Sequence, residues 1–146
     1  MADVRAGTLA DIAGASHCVD VVARERAYIG FLEGPSLEQS RVFWTGLIDQ
    51  GHPFLVAVDG PTLVGWCDVQ PMARPIFAHV GILGMGLLPA YRERGLGARL
   101  MAAALRADGV RRRRRAVEAD QDRRPLSRRG PHGAGAVSVS TMASMC

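Results

Sequence analysis

The apolar side chains that could form a core are concentrated before residue 110. All eight aromatic residues lie before residue 92, and beyond residue 110 the only leucine or isoleucine is Leu126. A segment of this composition cannot bury enough apolar surface to offset the conformational entropy lost on folding. We therefore predict that residues 1–110 form the folded domain and that residues 111–146 are a disordered tail rich in arginine, glycine and serine.

The charge balance changes at the same position. Residues 1–110 contain 9 arginines and 11 acidic residues, a net charge of −2, whereas residues 111–146 contain 9 arginines and 3 acidic residues, a net charge of +6. An arginine run such as residues 111–115 attracts nucleic acid and other anionic surfaces. The tail contains no aromatic residues for base stacking, so specific nucleic-acid binding is not expected. Nonspecific binding through the tail is an alternative function.

The sequence gives no sign of a metal site or of a membrane segment. Cys18, Cys67 and Cys146 lack the close spacing that is typical of zinc sites and disulfide frameworks. The N-terminus has an acidic residue and no apolar leader, and no stretch approaches the ~18–20 apolar residues that span a membrane. We predict a cytoplasmic protein that binds neither a metal nor a membrane.

Hydrophobic periodicity and turn signals predict the order β-α-α-β-β-β-α. Both of the first two helices begin at a capping box. The predicted elements are a short first strand, helices over residues 9–26 and 36–50, a hairpin of strands 54–58 and 63–69, a strand over 76–88, and a helix from Leu96 that ends at Asp108 and Gly109. Three glycines weaken the last strand, which predicts a bulge or the close approach of another backbone or a ligand.

A turn with two glycines separates the last predicted strand from the last helix. It reads Arg92-Glu93-Arg94-Gly95-Leu96-Gly97. The first amides of a helix have no internal acceptor and the helix dipole favours negative charge there, so such a turn can hold a phosphate or diphosphate. The two arginines would add positive charge. The alternative is a plain connection between a strand and a helix.

The segment from Leu87 to Leu100 resembles the acetyl-CoA motif of the GNAT superfamily of N-acetyltransferases. The family pattern, (Arg/Gln)-x-x-Gly-x-(Gly/Ala), is matched by Arg92, Gly95 and Gly97. The resemblance covers about residues 3–110, and it implies an α/β (α+β) fold with a mixed, mostly antiparallel sheet flanked by helices. It also implies transfer of an acetyl group from acetyl-CoA to a primary amine of a small molecule or peptide by direct attack, without a metal or a covalent enzyme intermediate.

The same resemblance assigns the cofactor contacts. The backbone at Leu87 and Leu88 would pair with the pantetheine arm. The residues around the pyrophosphate would be Arg92, Arg94, Gly95, Leu96, Gly97 and Ala98.

Direct transfer needs a group that takes a proton from the attacking amine. The candidate catalytic residues are His79, at the start of the glycine-bearing strand, and Asp68, at the end of the strand before it. For each of them a purely structural or solvent-exposed role is the alternative. Tyr28 and Glu33 lie between the first two helices, where members of the family often shape the acceptor pocket, so they are candidate substrate-binding residues.

The resemblance stops at the arginine run. Members of the family continue with a strand that opens the pantetheine cleft, a helix that often carries a catalytic tyrosine, and two closing strands, yet this chain has no tyrosine after Tyr91. We hypothesise that the reading frame changes near residues 111–118, with a natural tail as the alternative; the nucleotide sequence across codons 105–146 decides between them. Without these strands the last strand would have an open edge, which predicts low stability, a homodimer that covers the edge, or an inactive protein that at most binds CoA.

Overall fold

The computed structural model describes residues 2–27, 32–72, 74–77, 79–122 and 139–141. Its strands and helices are β1 (Asp3–Ala6), α1 (Ile12–Arg24), α2 (Leu37–Asp49), β2 (Phe54–Asp59), β3 (Thr62–Pro71), β4 (Gly81–Leu87), α3 (Leu96–Asp122) and β5 (Val139–Thr141). Short 3-10 turns precede α1, β4 and α3. The predicted order is confirmed up to α3, although β4 is shorter than the strand predicted over 76–88.

The five strands form one mixed sheet in the order β1-β2-β3-β4-β5. The first four strands are antiparallel to their neighbours, and β5 is parallel to β4. The predicted mixed, mostly antiparallel sheet is therefore confirmed. Because β5 pairs with Gly81–Leu83, the expectation of a fully open edge on β4 is corrected at those three residues.

Helices cover both faces of the sheet. On one face α1 and α2 pack on Phe54, Val56 and Trp66, and the Trp44 and Phe54 rings stack with their centroids 5.2 Å apart. On the other face the buried stripe of α3, which includes Leu100, packs on the remaining side chains of β2, β3 and β4. Burial of each large side chain contributes about 1.5–3 kcal/mol, so both faces stabilise the sheet.

The two predicted capping boxes set the starts of the first two helices. The Thr8 amide donates to Asp11 Oδ2 at 2.8 Å at the 3-10 turn that leads into α1. At the start of α2 the Gln39 amide donates to Ser36 Oγ at 3.2 Å, and the Ser36 amide donates to Gln39 Oε1 at 3.0 Å. These bonds satisfy amides that the helices themselves cannot, and the predicted helix starts are confirmed.

The glycines of β4 make room for side chains of β3. A Cβ atom at Gly86 would overlap the Trp66 ring, and one at Gly84 would lie 3.4 Å from Asp68 Oδ1. The sequence predicted a bulge or the close approach of a backbone or a ligand. The structure shows a close approach to these glycines, but the approaching groups are the Trp66 and Asp68 side chains of β3.

The helix α3 corrects the prediction of a helix end at Asp108 and Gly109, because it continues to Asp122 and into the segment for which we predicted disorder. Asp108 is buried and accepts a hydrogen bond from Arg112 Nε at 2.6 Å. Arg112 Nη1 also donates to the His79 carbonyl oxygen at 3.0 Å, and Arg111 Nη2 lies 3.3 Å from His52 Nε2. The first two arginines of the run therefore attach the helix to the sheet.

Residues 123–138 and 142–146 lie outside the described part of the chain, and the predicted disorder of that part stays a prediction. Within the described ranges, no helix combines the length and the apolar character that crossing a membrane requires.

Candidate active site

A sharp loop joins β4 to α3. Pro89–Tyr91 form a 3-10 turn, and two residues that follow it have left-handed backbone angles, Glu93 with φ of 62° and Gly95 with φ of 75°. A Cβ atom at Gly95 would meet nothing within 4 Å. Gly95 is therefore required for its backbone conformation and not for space.

The start of α3 directly follows Gly95. The Gly95 carbonyl oxygen accepts the Arg99 amide at 3.2 Å, so the helix begins there. Leu96 is buried and anchors the first turn, whereas Gly95 and Ala98 are exposed. The amides of Leu96, Gly97 and Ala98 have no acceptor within the helix, and the helix dipole is positive at this end. The arrangement suits an anion such as a diphosphate.

The side chain of Arg92 points towards α1. Its Nη1 and Nη2 atoms donate to Glu25 Oε1 and Oε2 at 3.1 and 2.6 Å. Its Nε and Nη2 atoms also donate to the Leu87 carbonyl oxygen at 3.1 and 2.9 Å. This guanidinium group thus joins the end of β4 to the end of α1.

Arg94, in contrast, is exposed. Its guanidinium carbon lies 5.8 Å from the centroid of the Tyr91 ring. The Tyr91 hydroxyl donates to Asp59 Oδ2 at 2.7 Å, and this hydrogen bond raises the pKa of Tyr91. The Tyr91 ring is therefore fixed to the β2–β3 hairpin and supports Arg94 beside the loop.

The backbone hydrogen-bonding groups at the end of β4 point alternately towards β3 and towards the opposite edge of the strand. The Leu88 amide donates to the Val64 carbonyl oxygen at 2.9 Å, so it is committed to the β3 side. Bonded positions alternate along an antiparallel pair, and the backbone groups of Leu87 therefore point away from β3. They lie on the side of β5, whose described residues pair with Gly81–Leu83.

Asp68 is buried in the middle of the sheet. It is 4% exposed, pairs with Gly84 of β4, and accepts a hydrogen bond from Trp44 Nε1 at 3.1 Å. Burial raises the pKa of this carboxyl to about 7, although the Trp44 hydrogen bond opposes the shift. The group is therefore poised to exchange a proton near neutral pH.

The other candidate residues lie apart from Asp68. His79 is exposed in the turn before β4, at the opposite end of that strand from the Arg92–Gly95 loop. Glu33 has a side chain 73% exposed, and its Oε2 atom lies 3.6 Å from Arg24 Nη2. Tyr28 lies outside the described residues.

The sequence analysis missed two side chains that hold the candidate site together. Glu25 binds Arg92, and a signal for it existed, since an acidic residue near the C-terminus of a helix is unfavourable without a partner. Trp44 was not among the candidate site residues. An indole N–H group that is buried usually finds an acceptor, and here that acceptor is Asp68.

Neither described cysteine is suited to carry an acetyl group. Burial raises the pKa of Cys18 to about 12 and also raises that of Cys67, so both thiols stay protonated. In the ranges that the structure describes, no His, Cys, Asp or Glu side chains form a group that could hold a metal ion.

The family model of the acetyltransferase (GNAT) family matches residues 19–125 of this chain. That match includes β4, the Arg92–Gly95 loop and the whole arginine run of residues 111–115, so the similarity extends beyond residue 110, where we expected it to stop. No curated protein sequence matches the chain.

Solved structures with the same fold come from several bacteria. A ribosomal-protein-alanine N-acetyltransferase from Brucella melitensis is 22% identical with a TM-score of 0.69, over 75% of this chain and 68% of its own. The yncA structure from Salmonella typhimurium with its cofactor acetyl-CoA is 17% identical with a TM-score of 0.68, over 73% and 62%. A phosphinothricin acetyltransferase from Sinorhizobium meliloti in complex with acetyl-CoA is 18% identical with a TM-score of 0.67, over 73% and 59%. The chain thus spans about three-fifths to two-thirds of the length of these structures.

Proposed function

The chain belongs to the acetyltransferase (GNAT) family, and we propose that it transfers an acetyl group from acetyl-CoA to a primary amine. The amine nitrogen attacks the thioester carbonyl carbon, a C–N bond forms and the C–S bond breaks. The nitrogen loses a proton, and CoA leaves as a thiolate that takes up a proton. The observation that carries the proposal is the loop before α3, where Gly95 turns the chain and leads into the first helical amides, which have no acceptor within the helix.

The diphosphate of acetyl-CoA binds this loop. The amides of Gly95, Leu96, Gly97 and Ala98 surround it, and the exposed guanidinium group of Arg94 supplies positive charge. The loop fits this group because its backbone is already turned and its outer surface carries little side-chain bulk. Two structural neighbours contain acetyl-CoA, which supports the choice of ligand.

The pantetheine arm follows the edge of β4 beyond the end of β5. The Leu87 amide points to that side, whereas the Leu87 carbonyl oxygen already accepts two hydrogen bonds from Arg92. The half-buried Leu88 continues the edge towards the loop. The Leu88 amide is bonded to β3 and its carbonyl oxygen accepts the Tyr91 amide at 3.0 Å, so Leu88 would contribute its side chain.

Asp68 is the proton acceptor that the structure favours. Its carboxyl lies beside Gly84, where β4 has no side chain, and its raised pKa allows it to accept a proton near pH 7. His79 is the second candidate, since an exposed imidazole at the start of β4 could also accept a proton. The exposed carboxylate of Glu33 is the proposed contact for a positively charged acceptor, either a small amine or a peptide.

Binding of acetyl-CoA by isothermal titration calorimetry tests the proposal, with Gly95→Ala as the test variant. Forcing alanine into the left-handed region costs about 1–2 kcal/mol and distorts the loop, so we expect the affinity to fall about tenfold or more. Gly51→Ala is the matched control, because Gly51 has a similar φ of 73° and open space around it, at the end of α2. It should lose a similar amount of stability and no affinity.

Release of free CoA in the presence of a panel of amines then tests turnover. Acetyl-CoA binding with release of CoA for at least one amine supports the enzyme. Binding without turnover on any amine favours the alternative, an inactive member of the family that only binds CoA. Equal affinities of wild type and Gly95→Ala would contradict the proposed position of the diphosphate.

A further inference from the structure

The ion pair between Glu25 and Arg92 connects two elements that are far apart in the sequence. Glu25 follows the last residue of α1, and Arg92 opens the loop that precedes α3. The Arg92 side chain is 13% exposed and that of Glu25 is 26% exposed, although Glu25 as a whole residue lies at the surface. We propose that Glu25 is a positioning residue that holds the diphosphate-binding loop in shape through Arg92. This inference rests on the proposed binding of acetyl-CoA.

The hydrogen bonds of Arg92 fix its guanidinium plane from two sides. One side donates two hydrogen bonds to the Leu87 carbonyl oxygen, and the other side donates two to the Glu25 carboxylate. Such a two-pronged pair between arginine and a carboxylate fixes direction as well as distance. The backbone at Arg92 is therefore held between the end of β4 and the end of α1.

The position of Glu25 at the end of α1 supports its role in holding Arg92. The C-terminal end of α1 carries a partial negative charge, which disfavours an acidic side chain there. The ion pair with Arg92 offsets that cost. It acts immediately before Glu93 and Gly95, the two residues with left-handed backbone angles that shape the loop.

Arg92 and Arg94 thus have different roles, whereas the family resemblance placed both of them around the pyrophosphate. Arg92 directs its charge to Glu25 and holds the loop, whereas Arg94 remains at the surface and attracts the diphosphate. In the alternative, Arg92 contacts the diphosphate itself, and Glu25 competes with the ligand for the guanidinium group. The two models predict opposite effects of removing the charge of Glu25.

Calorimetric titration of CoA into wild type, Glu25→Gln, Arg92→Gln and the double variant separates these models. Each single variant should weaken CoA binding about tenfold, as expected from loss of one charge-assisted contact, and the double variant little further. 3′-Dephospho-CoA, which keeps the diphosphate, should show the same losses. Asp11→Asn is the control, since it breaks another two-pronged pair, with Arg5, at the opposite end of α1. Its CoA affinity should equal that of wild type.

Other outcomes overturn the inference in distinguishable ways. If Glu25→Gln binds CoA as well as or better than wild type while Arg92→Gln binds it worse, Arg92 contacts the diphosphate directly. If both variants lose thermal stability and neither loses CoA affinity, the pair is only a structural link. If wild type itself does not bind CoA, the proposed function fails together with the inference.

Discussion

Asp68 and Asp108 are buried to almost the same extent in two regions of the fold, but their carboxylates have different hydrogen-bond partners. Asp68 is 4% exposed on the face covered by α1 and α2, and it accepts a hydrogen bond from the neutral indole N–H group of Trp44. Asp108 is 3% exposed on α3, and its partner is the guanidinium group of Arg112. A buried carboxylate with an arginine beside it is a structural group, whereas one without a cation stays available for proton transfer. The partner, and not the depth of burial, distinguishes Asp68, the proposed proton acceptor, from Asp108.

Replacing Asp68 by Asn should have the largest effect. If Asp68 accepts the proton of the amine, kcat should fall about 100-fold or more, with little change in the KM for acetyl-CoA. In wild type the rate should rise with pH through about 7 as the carboxyl ionises, and this rise should disappear in the variant. Asp108→Asn is the comparison, and its residual rate should keep the wild-type pH profile. A full rate in Asp68→Asn would transfer the role to His79.

The stability of the same variant tests the raised pKa independently of any acceptor. The folded protein holds a proton on Asp68 up to about pH 7, whereas the unfolded chain releases it near pH 3.8. Stability due to this group is therefore complete below about pH 4 and is lost as pH rises to 7, by up to about 4 kcal/mol. Urea unfolding of wild type and Asp68→Asn between pH 4 and 8 should show the variant gaining relative stability with pH. A constant difference would contradict the raised pKa.

Arg112→Ala tests the other carboxylate. The change leaves Asp108 buried without its arginine and removes the bond to the His79 carbonyl oxygen. We expect the free energy of unfolding in urea to fall by about 2–3 kcal/mol. Arg113→Ala, an exposed neighbour in the same run, should change it by less than about 0.5 kcal/mol. Equal effects of the two variants would show that the run acts only through its total charge.

The sequence predicted the features that depend on neighbouring residues. The capping boxes at Thr8 and Ser36 and the loop at Gly95 are encoded within a few positions. The length of α3 was mispredicted because Asp108 and Gly109 were interpreted as the end of the helix and residues 111–146 as a disordered tail. Arginine and alanine favour helices, and the contact of Arg112 with Asp108 is visible only once the helix exists.

In the candidate site, too, the sequence predicted features that depend on neighbouring residues and missed contacts between residues that are far apart in the chain. Asp68 was a candidate from its place in the strand, but its burial depends on α2 and on the missing side chain at Gly84, which lie far from it in sequence. The roles of Glu25 and Trp44 likewise come from pairings across the fold. Such contacts follow from tertiary packing, and a single sequence does not specify them.

Trp44→Phe should give the smallest effect and the finest test of the Asp68 environment. Loss of the indole donor removes the hydrogen bond that lowers the pKa of Asp68, so that pKa should rise further, by less than about one unit. The midpoint of the pH–rate profile should move upward by the same amount. Trp66→Phe is the matched control, because Trp66 lies in the same core and packs against Gly86. An identical midpoint in Trp44→Phe and Trp66→Phe would mean that burial alone, without the indole hydrogen bond, sets the proton affinity of Asp68.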